Sequence, residues 1–524
     1  MVTAPVPARE ARPHRRRVNQ RPPLAVAAAV AVVVAAMVVP LGYVIVSAVS
    51  TGPERAYQLL VRQRVGELLV NTVELVVVTV PLCVLLGVGA AWLIERTDLP
   101  GRELWRPLFV APLAIPAFVN SYAWVGLIPS LHGLPAGVLV TTLSYFPFVY
   151  VPAAATLRRL DPALEESAAA LGSNSAGVLF RVVLPQLRLA VLGGSLLIGV
   201  HLLAEYGAFA MVRFSTFTTA IFEQFQATFD GAAGSMLASV LVLLCLLMLT
   251  AESAARGQSR YARVGGGAPR SARPIALGSW RTSAVAALVA LAGLSLGVPL
   301  YNIGRWLWAG GAQVWSAVDL GSALSQTIAL AAVAAALTAA LAFPVAWVAV
   351  YSRGPLARAV EGATFVTSSL PGIVTALALI TATIQFLPPL YQTSALLIGA
   401  YVLLFLPRAL VSLRAGLAQV PPSLEEASRS LGVTPAWSFL RVTLRLIAPA
   451  AAAGASLVFV AVATELTATL LLAPVGTRTL ATWFWTYSSE LDYAAAAPYA
   501  LLLVALSIPV TFVLIRQATR AAAL

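Results

Sequence analysis

The sequence predicts an all-α, polytopic membrane protein of about twelve transmembrane helices in two homologous six-helix halves. Three observations lead there. Hydrophobic residues make up 59% of the chain and charged residues 10%, against roughly 45–50% and 25% in a soluble domain. The apolar residues gather into runs of about 20, long enough to cross the hydrocarbon of a bilayer. A polar, charged module also occurs twice at an offset of 260 residues, so that Glu165, Glu166, Leu171, Gly172, Arg181 and Leu184 recur as Glu425, Glu426, Leu431, Gly432, Arg441 and Leu444. A repeat of this kind says that one membrane unit is written twice, each copy carrying the same surface outside the bilayer.

In chain order, residues 1–23 form an arginine-rich tail and 24–253 a first membrane half, with apolar runs near 24–48, 68–93, 107–128, 136–156, 189–211 and 234–253. Residues 254–281 are rich in Gly, Ser, Arg and Pro without apolar periodicity, which reads as a connector. The second half, 282–516, has runs near 282–301, 323–350, 362–386, 394–413, 447–472 and 494–515, and 517–524 close the chain as a short tail. Pro81, Pro112, Pro116, Pro344 and Pro371 interrupt these runs. Such breaks are tolerated in a bundle where neighbours satisfy the freed backbone groups. The breaks repeat too: Ile115-Pro116 matches Leu370-Pro371 at an offset of 255, while Pro147 pairs with Pro407 and Glu205 with Glu465 at 260. Equal span numbers give both copies the same sidedness, which predicts halves related by an axis along the membrane normal with a pathway between them.

The net charge of +13 comes from arginine alone, there being no lysine. The arginines alternate between loops instead of gathering on one groove-facing surface, which argues against nucleic acid as a partner. Threaded from an inside N-terminus, most fall on one side, leaving Arg55, Arg62, Arg64, Arg213, Arg305 and Arg478 opposite. By the positive-inside pattern both termini and both modules are expected in the cytoplasm. The first apolar run is too long for a signal peptide and reads as a retained span. Cys83 and Cys245 lie inside predicted spans, as buried small hydrophobes rather than a disulfide or metal pair.

Each module has the chemistry of a bent helix. Pro162 suits a first turn, carboxylates follow where the helix dipole favours them, and Gly172 permits a change of direction before Ser173, Asn174 and Ser175 offer a new cap. Thr434-Pro435 takes the capping place in the second copy. The expected product is a short cytoplasmic helix, a bend, and a second helix feeding the next span. The competing reading of a single such segment is an amphipathic loop helix on the membrane surface, which duplication at equivalent places disfavours.

The pattern Glu166-Ser167-Ala168 through Gly172 to Leu184-Pro185, with Glu426-Ala427-Ser428 through Gly432, resembles the mark of ATP-binding-cassette importer permeases. Serine replaces an alanine in each copy, and Arg445 stands where the second module would end in proline. The resemblance covers nearly the whole chain. It implies a bacterial cell-membrane permease whose bends dock into two copies of a cytoplasmic ATPase, with Glu165, Glu166, Gly172, Glu425, Glu426 and Gly432 as coupling residues. It also implies an extracytoplasmic substrate-binding protein docked on the outer loops. No G-x-x-x-x-G-K-[S/T] loop occurs, so nucleotide chemistry, ATP with magnesium, is expected in the partner, with no cofactor bound by this chain.

Glu205, followed by Tyr206, and Glu465 are acids deep in spans, a costly placement that usually marks a bundle interior or pathway. They are candidate pathway or gate residues, with an ion pair or hydrogen-bonded packing as the competing role; Glu74 is a third acid without a counterpart, Ala329 standing in its place. Carboxylates with a tyrosine suit a hard cation, but too few ligands are identifiable to assign a metal site. The segments around Glu205 and around Glu465-Leu466-Thr467-Ala468-Thr469 resemble the fused ferric-iron permeases, with Thr467 in place of a usual proline. Relatives in that branch carry thiamine, phosphonates, sulfate or polyamines, and an ion-coupled secondary transporter using the two acids is the alternative of another class. Trp306, Trp308, Trp483 and Trp485 are expected in or beside outer loops as aromatic-belt anchors.

Overall fold

The computed structural model describes residues 22–228, 231–256, 274–316 and 319–523. The arginine-rich tail before residue 22 and most of the expected connector, 257–273, lie outside them. The described residues are helical throughout, apart from one isolated bridge between Thr97 and Ile275. Among them nine helices are long and apolar enough to cross a membrane. Two helix pairs are apolar and long enough only when taken together and are sharply bent in the middle, Arg102–Ala114 with Ala117–Leu127 at 91° and Pro355–Ser369 with Gly372–Phe386 at 108°. The last expected run, 494–515, falls within the helix Tyr493–Ala523.

Both sharp bends sit at the repeated dipeptides. Pro116 and Pro371 lack an N–H and push the residue before them out of helical geometry, so Ile115 and Leu370 are extended. Each proline then starts the following helix by offering its carbonyl, to Asn120 N–H at 3.0 Å in the first half and to Thr375 N–H at 3.2 Å in the second. Freed backbone groups are thus recovered locally, as hydrocarbon surroundings demand.

The halves do not pack as separate bodies. The first helix, Leu24–Ser50, buries Val30, Val33 and Met37 in the core of the second half beside Ala334, Ala335 and Leu397. Thr367 donates its hydroxyl to the Met37 carbonyl at 3.2 Å, fixing the crossing. The exchange is reciprocal: Ala284 and Leu288, near the start of the second half, join the first half's core with Phe146 and Val149. Residues such as Val32, Ile45, Val46 and Leu85 remain exposed on the outer faces, the apolar surface that lipid covers.

Three of the four expected belt tryptophans are half-buried against other rings. Trp306 stacks on Tyr493 at 5.4 Å, Trp483 on Tyr487 at 5.1 Å, and Trp485 lies against Tyr206 at 5.3 Å; Trp308 alone of the four stands out from the surface, at 89% exposure. Of these pairs, Trp485 with Tyr206 joins the two halves. Tyr122 does the same by donating to the Tyr493 carbonyl at 2.5 Å across the two halves.

The exchanged helix yields a direct test. With Met37→Cys and Thr367→Cys, and a protease site placed within 257–273, oxidation followed by cleavage should leave one full-length band that separates into two only after reduction. Two bands without reductant would refute the crossing.

Candidate functional site

Two kinds of place join the halves or face outward at matching positions: the breaks at Glu205 and Glu465, and the bends at Gly172 and Gly432. At the first break the helix Leu184–Ala204 stops and a short helix, Gly207–Met211, begins. The Glu205 carboxylate accepts from Ala208 N–H at 2.9 Å and from the Tyr145 hydroxyl at 2.9 Å, while its carbonyl accepts from Thr218 at 2.7 Å. At the second break Leu444–Ala463 stops before Thr467–Leu472. The Glu465 carboxylate accepts from Ala468 N–H at 3.0 Å, and its carbonyl accepts from Thr469 at 2.7 Å. Both acids therefore cap the short helix that follows them, supplying an acceptor to a backbone donor freed by the break.

The caps sit where the halves touch. A side chain at Gly207 would meet Leu466 of the other half at 2.7 Å. Tyr206 is buried, its ring between Phe222 at 4.2 Å and Trp485 at 5.3 Å, so it belongs to the packed seam. Glu205 and Glu465 are only half-buried. Glu74 is exposed on its helix and is not drawn into this group. Two ionisable side chains that the sequence reading passed over also stand within span helices. His201 bonds the Leu197 carbonyl at 2.7 Å and lies 4.7 Å from the Phe148 ring, and the Arg408 guanidinium lies 5.1 Å from the Phe405 ring. The signal was present, since both stand inside apolar runs where any ionisable residue is costly; attention to acids alone missed them.

The bends form as their residues require. Asp161 caps Pro162–Ala170 by accepting from Ala163 N–H at 3.0 Å, and Asn174 accepts from Gly177 N–H at 2.8 Å to start the next helix. Gly172 and Gly432 have φ of +87° and +80°, a left-handed conformation in which a side chain is strained. Each helix ends with the same crossed bonds, Ser173 N–H to the Ala168 carbonyl and Val433 N–H to the Ser428 carbonyl. Both exits also carry a π-helical turn at matching places, Leu179–Val183 and Phe439–Thr443. Arg445 therefore leaves the second exit with the same path as the first.

The six residues expected to couple do not share one role. Leu171 and Leu431 at the bend tips are 88% and 83% exposed, with Glu166 and Glu426 exposed beside them. Glu165 instead turns inward and pairs with buried Arg96 at the end of Gln63–Arg96. The neighbouring backbone is pinned too: Ile275, at the end of the connector, donates to the Arg96 carbonyl at 2.8 Å and accepts from Asp98 N–H at 3.0 Å. Glu165 is thus a strut between bend and bundle, while the Glu425 side chain lies outside the described residues. Among the described residues no three His, Cys, Asp or Glu side chains come together as metal ligands.

The family described as binding-protein-dependent transport system inner membrane component matches residues 83–254 and again 339–521. The chain is similar to the Fe(3+)-transport system permease protein FbpB 2 of Haemophilus influenzae, 35% identical over 94% of this chain and 98% of that one. It is also similar to the sulfate transport system permease protein CysW of Synechocystis, 31% identical over 34% of this chain and 72% of the relative. With CysW of Escherichia coli the identity is 25% over 41% of this chain and 81% of the relative.

The caps predict an order of stability. Glu205→Ala removes a cap, worth about 1 kcal/mol, and strands the buried Tyr145 hydroxyl at a further cost of roughly 1–3 kcal/mol. Glu465→Ala should cost less, because Tyr401 bonds Thr469 and not the acid. Glutamine at either position keeps an acceptor and should lose less than alanine. Chemical unfolding in mixed micelles measures this; equal losses for glutamine and alanine would show that charge, not capping, matters.

Proposed function

The chain belongs to the family of binding-protein-dependent transport system inner membrane components, and from that premise we propose that it carries ferric iron inward. It is the permease subunit of an ATP-binding-cassette importer, without a nucleotide site of its own. The iron reading rests on one observation: the Fe(3+) permease of Haemophilus influenzae aligns with both halves together, over 94% of this chain. The sulfate permeases cover a single half's worth, 34% and 41% of it. Their similarity nonetheless favours one second reading, an oxyanion cargo.

In the proposed mechanism an extracytoplasmic binding protein delivers cargo to the outer loops. A cleft of about 300 Å³ beside Arg62, Arg64, Leu68, Glu223 and Met236 offers it a polar foothold on the first half. Cargo then passes between the halves near Glu205 and Glu465. Two copies of a cytoplasmic ATPase grip the bends at Leu171 and Leu431, and ATP binding draws the bends together. The halves 24–253 and 282–516 move as levers on either side of the pathway, with both termini and the connector 254–281 on the ATPase side, as the arginine distribution favours. The exposed leucines support this arrangement, since an apolar tip on a polar cytoplasmic loop is a partner surface. The Glu165–Arg96 pair would carry force from the first bend into the long helix Gln63–Arg96.

Leu171→Asp with Leu431→Asp should leave permease stability within about 0.5 kcal/mol, because both side chains are exposed. ATPase co-purification and ATP-driven uptake in proteoliposomes should each fall by about tenfold or more. Undiminished uptake would refute the docking assignment. In the parent assembly, radiolabelled ferric iron and sulfate presented on their binding proteins separate the two cargo readings: accumulation of sulfate without iron would overturn the first.

A further inference from the structure

The long helix Gln63–Arg96 ends in two opposite charges, and both are buried. Glu95 is 1% exposed and takes both arms of Arg106 on its carboxylate, Nε at 3.1 Å and Nη2 at 2.8 Å. Arg158 stands 3.5 Å from the same carboxylate. Arg96, next in the chain, pairs instead with Glu165 of the bend. Two consecutive side chains thereby fasten three other helices, Arg102–Leu108, Pro147–Arg159 and Pro162–Ala170. The end of the connector adds a fourth tie, since the Asp98 carboxylate accepts from Leu277 N–H at 2.9 Å. Paired, hydrogen-bonded charges in a buried place resist being pulled apart, because separation strands each of them.

The second half lacks the residues for such a clamp. At the repeat offsets of 255 and 260, Val350 replaces Glu95, Tyr351 replaces Arg96, Glu361 replaces Arg106 and Ala418 replaces Arg158. Tyr351 donates to the Leu417 carbonyl at 2.9 Å, and Glu361 meets Arg414 at 3.5 Å with its side chain 62% exposed. A cleft of about 490 Å³ opens at the root of the second bend, lined by Ser412, Gly416, Gln419, Leu424, Leu446 and Ala450. Leu424 belongs to the bend helix Pro422–Ser430 itself, so that helix borders free volume. In the first half Thr156 and Arg159 stand at the positions of Gly416 and Gln419. Close packing transmits a displacement, whereas an adjoining cleft absorbs part of it.

We propose that the two bends are unequal levers: the first is locked to its bundle through Glu95 and Arg96, and the second swings against its own root into the cleft. Glu95 is the positioning residue, holding Arg106 and Arg158 around the helix end that carries Arg96. A push at Leu171 then moves the first half as one body, while part of a push at Leu431 goes into closing the cleft. This deepens the importer reading by giving the two docking sites different work, and it rests on that reading for the source of the push.

Spin labels within each half of the full chain test this in nanodiscs, with buried Cys83 and Cys245 replaced by alanine. Leu85 and Ala340 are exposed, equivalent positions on the long helices, and Ala170 and Ser430 are their counterparts on the bends. Distances between Leu85→Cys and Ala170→Cys should be narrowly distributed. Those between Ala340→Cys and Ser430→Cys should spread about twofold more widely, because buried ties set local stiffness. Glu95→Gln should broaden the first distribution, leave the second alone, and lower the cargo moved per ATP hydrolysed, a ratio that mere loss of folded protein does not change. Ala415→Trp, on the exposed wall of the cleft, should narrow the second distribution and serves if Glu95→Gln does not fold. Equal widths in the parent, a first distribution indifferent to Glu95→Gln in a folded chain, or a second indifferent to Ala415→Trp would each overturn the proposal. The widths need no cargo, binding protein or ATPase. Equal widths in a chain that still imports iron remove this inference alone; unequal widths in a chain that engages no ATPase remove the importer reading alone.

Discussion

Hydrocarbon cannot hydrogen-bond a peptide group, and that constraint shapes this molecule more than any other. A span that breaks must find partners for the groups it frees, each worth several kcal/mol if stranded. Four breaks at two pairs of equivalent positions answer the demand in two ways. At Pro116 and Pro371 a carbonyl restarts the following helix directly. At Glu205 and Glu465 the side chain does it, reaching to the amide three residues on. A carboxylate is an expensive group to place there, and its capping bond offsets part of that cost. The same residue is then left half-exposed at the seam. The two roles weighed from sequence, packing and pathway, are therefore compatible in one side chain.

The bends obey a different rule, that of an aqueous surface. Their helices are short and terminated by glycines in a left-handed conformation, with Asp161 and Asn174 as caps in the first bend. What the two copies share is geometry: the glycine, the crossed terminal bonds, the π-helical turn at the exit and the exposed leucine tip. π-helical turns concentrate at functional positions, and here they mark where each bend enters its span. The Arg96–Glu165 pair and the pinned connector end give the first bend a rigid root. Force applied at Leu171 then has a path into the bundle that does not depend on loop stiffness.

Much of this was legible in the residues. Proline dipeptides marked the sharpest bends because proline acts locally, through a missing donor and a restricted neighbour. Gly172 and Gly432 marked the elbows for the same local reason. The exchange of the first helices was not legible, since an apolar run such as 24–48 specifies burial and not which neighbour buries it. Trp306, Trp483 and Trp485 have ring partners that the belt rule does not name, Trp306 and Trp483 within the second half and Trp485 across the seam at Tyr206. The partner of Glu165 was not legible because nothing in the module names Arg96, whose side chain arrives from a distant helix. His201 was visible as an ionisable residue in an apolar run, but only the folded chain brings it beside Tyr145, whose hydroxyl bonds Glu205.

We propose that the two elbows are levers drawn together by nucleotide on an external ATPase. Ala170 and Ser430, exposed and equivalent in the two copies, carry spin labels without disturbing a cap. With the ATPase bound, the distance between labels at Ala170→Cys and Ser430→Cys should shorten when a non-hydrolysable nucleotide is added. A distance distribution unchanged by nucleotide, in an assembly whose ATPase is demonstrably engaged, would contradict it.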